Sequence, residues 1–103
     1  MYSRDAMSKE YFIYIMTDKK HGTLYIGSTS SIASRVDIHK SGVMTKSFTA
    51  KYGLTMLVYI EQCETAESMV NRERTLKSWN RNWKLRLIMD QNPKWDDLAY
   101  LIV

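Results

Sequence analysis

Two tyrosines stand inside short runs of aromatic and β-branched residues near the start of the chain. Tyr14 belongs to the run YFIYIM and Tyr25 to the run TLYIGS, where phenylalanine would fill a hairpin core equally well. If Met16 opposes Thr23 in an antiparallel hairpin, Tyr14 opposes Tyr25 and both phenols point to one side of the sheet. A slip of one residue would send them to opposite faces. The two phenols are therefore either part of a polar site or ordinary paired core tyrosines.

A glycine, Gly27, follows the second tyrosine inside the same predicted strand. Glycine weakens the interior of a strand and often marks a place where another group comes close to the backbone. The position therefore predicts a close approach to the main chain beside Tyr25.

An arginine and a histidine stand four residues apart in a segment that is predicted to be helical. Because residues i and i+4 share one face of a helix, Arg35 and His39 should project together, while Ile32, Ala33 and Val36 pack against the sheet. A guanidinium offers two parallel hydrogen bonds to a phosphate, and an imidazole can transfer a proton near neutral pH. The alternative is an exposed pair of side chains in water.

A carboxylate interrupts the apolar stripe of the longest predicted helix. The positions that helical spacing turns inward are Ala66, Met69, Val70, Glu73, Leu76 and Trp79 or Asn80. A carboxylate within such a stripe is costly unless it is paired, hydrogen-bonded or bound to a metal. Glu73 is therefore explained by an ion pair with a nearby arginine, by a slightly rotated stripe or by a metal site.

The window 72–86, RERTLKSWNRNWKLR, concentrates positive charge. Its basic residues are Arg72, Arg74, Lys77, Arg81, Lys84 and Arg86. Basic side chains interleaved with Trp79 and Trp83 can hold a phosphate backbone and stack on exposed bases. The alternative is a solvated helix face whose two tryptophans turn into the core.

Local patterns predict the elements that position these residues. Three strands are predicted, at residues 11–16, 23–28 and 55–61. Three helices are predicted, at residues 31–41 (capped by Ser30 or Ser31 and stopped by Gly42), 66–80 (capped by Thr65) and 82–91 (ended by Pro93). A short helix over 45–52, ended by Gly53, and a docking turn or helix in the tail complete the pattern. The order ββαβαα predicts an α+β domain with a small antiparallel sheet covered by helices.

Composition sets limits on the class of protein. The chain has 103 residues, 45% of them hydrophobic and 25% charged, which predicts one globular domain over residues 11–100 after a flexible segment, 1–10. A single cysteine, Cys63, excludes an internal disulfide and a cysteine-rich zinc site, and fits the cytoplasm. No run approaches the roughly 20 apolar residues of a membrane helix, so no membrane association is expected. The net charge of +4 favours a polyanionic partner.

Taken in order, the motifs resemble one family. FIY at 12–14, YIG at 25–27, Arg35 with His39, RERTLKSW at 72–79 and the ending NP.W.DL at 92–98 are similar to the GIY-YIG nuclease superfamily, in its small stand-alone bacterial (URI-domain-like) form. The resemblance spans roughly residues 10–98. Phe12 stands where the name motif has its first glycine, a place that varies among stand-alone members.

The resemblance implies a catalytic set and a cofactor. Members cleave DNA phosphodiester bonds with one divalent cation, so Glu73 would hold Mg²⁺ (or Mn²⁺) and Arg35 would bind the scissile phosphate. Tyr25 would be the general base, Tyr14 would position the attacking water, and His39 would relay the proton or contact phosphate. The implied activity is a metal-dependent DNA endonuclease that is structure-selective or weakly sequence-specific.

Substrate contacts and partners complete the expectations. The residues expected to contact DNA are Gly27, Lys77, Arg81 and Asn92, with Asn80 and Asn82 as alternatives to Asn92. A protein partner is a further possibility, since nothing outside the nuclease-sized core is left to choose a target. Two other functions stay open: a nucleic-acid-binding module that does not cut, and a protein-interaction domain with a contact patch of Trp79, Trp83 and Trp95.

Overall fold

The computed structural model describes residues 10–41 and 52–102. Its strands are β1 (Tyr11–Thr17), β2 (Leu24–Thr29) and β3 (Met56–Cys63). Its helices are α1 (Ile32–Ser41), α2 (Ala66–Ser78), α3 (Arg81–Gln91) and a 3₁₀ helix (Leu98–Leu101). The predicted order ββαβαα and the α+β class are confirmed in these residues. The predicted flexible segment up to residue 9, the stop at Gly42 and residues 45–51 of the predicted short helix lie outside them.

The three strands form one antiparallel sheet in the order β2-β1-β3. The predicted hairpin register is wrong by two residues, because Met16 pairs with Tyr25 and Tyr14 pairs with Gly27. A shift of two residues keeps every side chain on its original face. Tyr14 and Tyr25 therefore still lie on one side of the sheet, as predicted, but diagonally rather than directly opposite one another.

Helices cover both faces of the sheet. The face that carries Tyr14, called here the tyrosine face, packs on α1 and the C-terminal segment. Its buried residues are Phe12, Tyr14, Met16, Ile32, Val36, Leu54, Leu57, Ile60, Leu98 and Ile102. The other face, called here the glutamate face, packs on α2 and α3. Its buried residues are Ile13, Ile15, Ile26, Val58, Tyr59, Leu76, Ile88 and Trp95. Burial of these two apolar sets is the main force that holds the three layers together.

The ends of α2 and α3 follow from local hydrogen bonds. Thr65 caps α2 in a reciprocal capping box with Ser68, as its position predicts. The helix ends at Ser78, two residues before the predicted end, because Asn80 turns to cap α3 and its side chain accepts from the Trp83 amide. The sharp step between the two helices therefore lies at Trp79, whose backbone is extended.

Strand β3 and the C-terminal segment are joined by side-chain amides. The pairing of β1 with β3 shifts between Ile15 and Met16, which leaves Val58 as an extra residue. Asn92 donates to the Val58 carbonyl, and Gln91 binds both the amide and the carbonyl of Ile60. These bonds give backbone groups of β3 side-chain partners from the end of α3.

Asp97 ties the C-terminal segment to α1. Its carboxylate forms an ion pair with Lys40 near the end of α1 and accepts from the amides of Leu57 and Ala99. Lys40 also donates to the Thr55 carbonyl at 2.8 Å. One carboxylate thus links α1, β3 and the 3₁₀ helix.

Candidate active site

Three aromatic side chains meet on the tyrosine face. The ring centroids of Tyr14 and Tyr25 are 6.2 Å apart, and each lies 5.5 Å from the centroid of His39. The Tyr14 hydroxyl and the His39 Nε2 form a buried hydrogen bond of 3.0 Å. We call these three residues the tyrosine–histidine cluster. Two of the residues come from adjacent strands and the third from α1, so the hairpin and the first helix build the cluster together.

Gly27 makes room for the ring of Tyr14. An added Cβ at this position would lie 2.5 Å from both Cζ and the hydroxyl oxygen of Tyr14, far inside van der Waals contact. The predicted close approach to the backbone is thus made by Tyr14 across the hairpin. The expected contact of Gly27 with substrate stays a prediction.

The placement of the α1 residues corrects the predicted helix face. His39 is buried on the inward face together with Ile32 and Val36, whereas the sequence pattern placed it beside Arg35 on the outward face. The spacing 32, 36 and 39 forms the inward stripe, and Arg35 is exposed at its border. His39 is therefore not a solvated side chain but the inner partner of Tyr14.

Burial and the nearby guanidinium set the protonation states in the cluster. Burial and the neighbouring Tyr25 phenol raise the pKa of Tyr14, and Arg35 only partly offsets this. Burial and the positive charge of Arg35 lower the pKa of His39 from 6.5. At neutral pH Tyr14 is thus a protonated phenol beside an uncharged imidazole, an arrangement that donates and accepts hydrogen bonds but carries no charge of its own.

Glu73 lies on the glutamate face. Its carboxylate accepts a hydrogen bond from the Ser28 hydroxyl and pairs with Lys77 at 2.7 Å, one helical turn away. The Glu73 side chain is 22% exposed and that of Lys77 is 55% exposed. Desolvation works against ionisation, but the bonds from Lys77 and Ser28 outweigh it and lower the pKa of Glu73. The carboxylate is therefore ionised, accessible and held in place.

The inward stripe of α2 is rotated relative to the prediction. Its partly or fully buried members are Met69, Arg72, Glu73 and Leu76, while the predicted members Ala66 and Val70 are exposed. Arg72 reaches Glu61 on β3 through two hydrogen bonds of 2.8 and 3.1 Å. Glu73 thus forms its ion pair with a lysine and not with an arginine, because Arg72 is bound to the carboxylate of Glu61.

Strand β2 brings the two halves of the site together. Side chains alternate along a strand, so Tyr25 faces the tyrosine–histidine cluster while Ser28 faces Glu73. Among the described strands β2 is an outer one, so Tyr25 and Ser28 lie on opposite faces beside the same edge of the sheet. Ser28 was not singled out from the sequence. The alternation after Tyr25 is the signal that would have placed it on the side of α2.

The remaining predicted contact residues are divided. Lys77 lines a surface depression together with Tyr25. The guanidinium of Arg81 instead donates to the carbonyls of His21 and Gly22 at 2.6 and 2.7 Å. Asn92 is buried, donates to the carbonyls of Val58 and Asp96 and accepts from the Asp96 amide. The structure does not bring Arg81 or Asn92 to the cluster, and their contact with substrate stays a prediction.

The alternatives Asn80 and Asn82 also lie apart from the tyrosine–histidine cluster in sequence and structure. The side chain of Asn80 serves as the cap of α3, and Asn82 is an exposed residue in the first turn of that helix. Neither position adds a group that hydrogen-bonds to Tyr14, His39 or Glu73 in the described residues.

The three tryptophans that a protein-interaction domain would present as one patch do not lie together on the described surface. Trp95 is 3% exposed and belongs to the core of the glutamate face, while Trp83 is 54% exposed. Trp79 packs edge-on against Trp83 at 5.8 Å and lies under the guanidinium of Arg72. A single exposed indole remains, so the basis for a protein-interaction domain is weaker than the sequence pattern indicated.

The chemistry of Glu73 fits a hydrated divalent cation. Within residues 10–41 and 52–102, no three acidic, histidine or cysteine side chains gather into a metal-binding group. Mg²⁺ commonly binds through one or two carboxylates, several waters and substrate phosphates. One ionised and accessible carboxylate therefore suits a cation that is shared with a phosphate.

A model of the GIY-YIG catalytic domain matches residues 10–86, which include both tyrosines, Arg35, His39 and Glu73. The chain belongs to the GIY-YIG family. The expected family is thus confirmed, and membership implies a function of the nuclease type. All residues of the two halves of the site around β2 fall inside the matched region.

Relatives of the same size support the assignment to the GIY-YIG family. A UPF0213 protein of Syntrophus aciditrophicus is 37% identical over 90 residues, covering 85% of this chain and 98% of that protein. A UPF0213 protein of Clostridium perfringens is 34% identical over 83 residues, covering 81% and 87%. The solution NMR structure of a UPF0213 protein from Bacillus halodurans has the same fold, with a TM-score of 0.55 over 89% of this chain and 96% of that one at 24% identity.

The helices of this GIY-YIG domain are short. Among the described residues, none has the length and apolar character required to cross a bilayer.

Proposed function

We propose that this GIY-YIG protein is a metal-dependent DNA endonuclease with low sequence specificity. The observation that carries the proposal is the arrangement around β2. A tyrosine–histidine cluster bordered by Arg35 lies on one face, and an ionised, hydrogen-bonded Glu73 lies on the other. A phosphodiester at the free edge of β2 would have access to both. Attack of water on phosphorus needs a base, a group that holds the phosphate, and positive charge near the departing oxygen. A tyrosine and Arg35 would provide the first two, and a cation held by Glu73 would supply the third.

Arg35 and Glu73 handle charge. The exposed guanidinium of Arg35 binds the phosphate oxygens with paired hydrogen bonds and stabilises the extra charge of the transition state. Glu73 is the residue that would hold Mg²⁺ or Mn²⁺, and such a cation supplies positive charge to the phosphate and the leaving group. Ser28 fixes one oxygen of Glu73, which orients the carboxylate toward the β2 edge.

The tyrosines handle the proton of the attacking water. Burial keeps the pKa of Tyr14 above its ordinary value, so Tyr14 serves as a hydrogen-bond donor and not as a base. Tyr25 is only half-buried and lies beside Tyr14, so Tyr25 is assigned as the base, which would take the water proton in its phenolate form. The departing oxygen would take its proton from solvent water. The uncharged imidazole of His39 is hydrogen-bonded to the Tyr14 hydroxyl through Nε2 and holds the phenol in place.

Nicking of supercoiled plasmid and cutting of a branched DNA panel, with Mg²⁺ or Mn²⁺, test the proposal. Wild type is compared with Glu73→Gln, Arg35→Ala and Tyr25→Phe. The control is Glu67→Gln, which removes an exposed carboxylate from the first turn of the same helix. Circular dichroism verifies that each variant is folded. We expect cation-dependent cutting by wild type and control, and at least a hundredfold slower cutting by the other three, in the range seen for single catalytic groups.

Two results would contradict the proposal. Pure wild type that binds DNA without cutting any substrate would identify a binding module with a nuclease fold. Cutting that persists at the wild-type rate in Glu73→Gln would show that the activity comes from elsewhere.

We also infer a cytoplasmic location, in line with the single free thiol of Cys63, and a protein partner that directs the domain to its target.

A further inference from the structure

A depression of about 380 Å³ lies along the free edge of β2. Its lining comes from three consecutive residues of the strand and one lysine from each of the two helices on the glutamate face. These residues are Leu24, Tyr25, Ile26, Lys77 and Lys84. The depression therefore begins at the proposed base, Tyr25, and ends at Lys77, the partner of Glu73. It joins the two halves of the site over the outside of the strand.

The two lysines make this depression positive. Lys77 shares its charge with Glu73, whereas the ammonium of Lys84 contacts the carbonyl of Lys77 at 3.5 Å. That carbonyl belongs to the last turn of α2, where the helix dipole favours a cation. In the part of the chain that the structure describes, no carboxylate forms an ion pair with Lys84. A largely apolar hollow thus carries two ammonium groups, of which only that of Lys77 is paired with a carboxylate among the described residues.

We propose that the depression binds the phosphate next to the scissile phosphate on the same DNA strand. Lys84 is the principal contact of this neighbouring phosphate. The proposal rests on the proposed function, and it adds a residue and a path for the backbone. A strand that places one phosphate between Arg35 and Glu73 at the β2 edge would carry its neighbour along this same edge. An ammonium group reads phosphate charge and no base identity, which agrees with low sequence specificity.

The geometry assigns this role to Lys84 rather than to Arg81 on the same helix. Arg81 uses its guanidinium to hold the carbonyls of the β1–β2 turn, and it does not line the depression. Lys84 lies one turn further along α3 and faces β2. The contribution of α3 to DNA binding therefore comes from its second turn.

Fluorescence anisotropy of a labelled DNA duplex, with the full chain in EDTA, measures binding without cutting. The variants are Lys84→Gln and Lys84→Arg, and the matched control is Lys94→Gln, which removes the same charge from an exposed position after α3. For Lys84→Gln we expect about three- to tenfold weaker binding at about 50 mM salt. We also expect the slope of log K against log salt to be smaller by about 0.9, the value for one phosphate contact. Lys84→Arg should keep the wild-type slope.

The outcomes separate this proposal from the nuclease assignment. If Lys84→Gln binds like Lys94→Gln at every salt concentration, the phosphate site is refuted even where wild type cuts DNA. If wild type never cuts but Lys84→Gln shows the reduced slope, the site stands and the endonuclease assignment fails. Absence of any salt-dependent binding by wild type would refute both.

Discussion

The substitution Gly27→Ala tests whether the ring of Tyr14 can occupy its position only because residue 27 has no side chain. The added Cβ would lie 2.5 Å from Tyr14 Cζ, whereas carbon atoms pack at about 3.5–4.0 Å. The ring or the strand must therefore move by about 1 Å. Tyr14 is fully buried and bonded to His39 at 3.0 Å, so neither movement is free.

The expected loss of stability follows from two opposing effects. Overpacking a buried site costs about 1–3 kcal/mol. Alanine also lowers the conformational entropy of the unfolded chain, which stabilises the fold by about 0.4–1 kcal/mol. We expect Gly27→Ala to lower the free energy of unfolding by about 1–2 kcal/mol and the melting temperature by about 4–8 °C for each kcal/mol.

Urea unfolding of a double-mutant cycle with Tyr14→Leu measures the coupling. Leucine has no atoms at the positions of Cζ and the hydroxyl, so Gly27→Ala should cost nothing or be slightly stabilising in that background. A coupling of about 1 kcal/mol or more is expected for groups in such contact. Tyr14→Phe, which removes only the hydroxyl contact, should give a smaller coupling. An equal loss from Gly27→Ala in all backgrounds would refute the packing explanation.

Three further predictions concern charged groups. Because the pKa of Glu73 is lowered, its carboxylate stabilises the fold above pH 4.5, and this stabilisation is lost as the pH falls. The unfolding free energies of wild type and Glu73→Gln should therefore converge at acid pH. A difference that stays constant with pH would contradict this prediction. Arg35→Gln should raise the pKa of His39 toward 6.5 in an NMR titration, and an unchanged titration would show that Arg35 is not close to His39. The stability of wild type should decrease as the pH falls below 6.5, because His39 of the unfolded chain takes up the proton first. Arg72→Met should break the bidentate pair with Glu61 and lower the free energy of unfolding in urea by about 1 kcal/mol. If the variant instead reduces the salt slope of DNA binding, Arg72 contacts the substrate.

Local signals were sufficient to predict the elements. Thr65 predicts the start of α2 because its hydroxyl satisfies a free amide at the first turn, and Pro93 predicts the end of α3 because it disfavours helix at Asn92. Runs of aromatic and β-branched residues between turn formers likewise predict the strands. These features depend on neighbours in sequence, so one chain is enough to read them.

The hairpin register depends on more than the composition of these runs. Pairing Tyr14 with Tyr25 or with Gly27 gives the same two faces, so the hydrophobic pattern cannot distinguish them. The turn decides between them. Asp18 accepts from the Thr23 amide, and His21 adopts a positive φ of 58°, which is uncommon for a residue other than glycine. Neither feature has a strong signal in TDKKHG.

Side-chain partners across the fold were the hardest to predict. The rotation of α2 follows from the pair between Arg72 and Glu61, which are on different elements. The burial of Asn92 follows from the extra residue Val58 in β3, whose carbonyl it satisfies. By contrast, the burial of His39 is present in the sequence as the spacing 32, 36 and 39.

The link between Asp97 and Lys40 has a consequence for the order of folding. The two residues are 57 positions apart, so α1, which carries Arg35 and His39, gains this attachment only after nearly the whole chain is available. Contacts between distant positions form slowly because a long loop must first close. We therefore expect the hairpin to form early and the cluster to complete late, when the C-terminal segment docks. During synthesis, the residues that we propose to be catalytic would all have been added to the chain well before they are brought together.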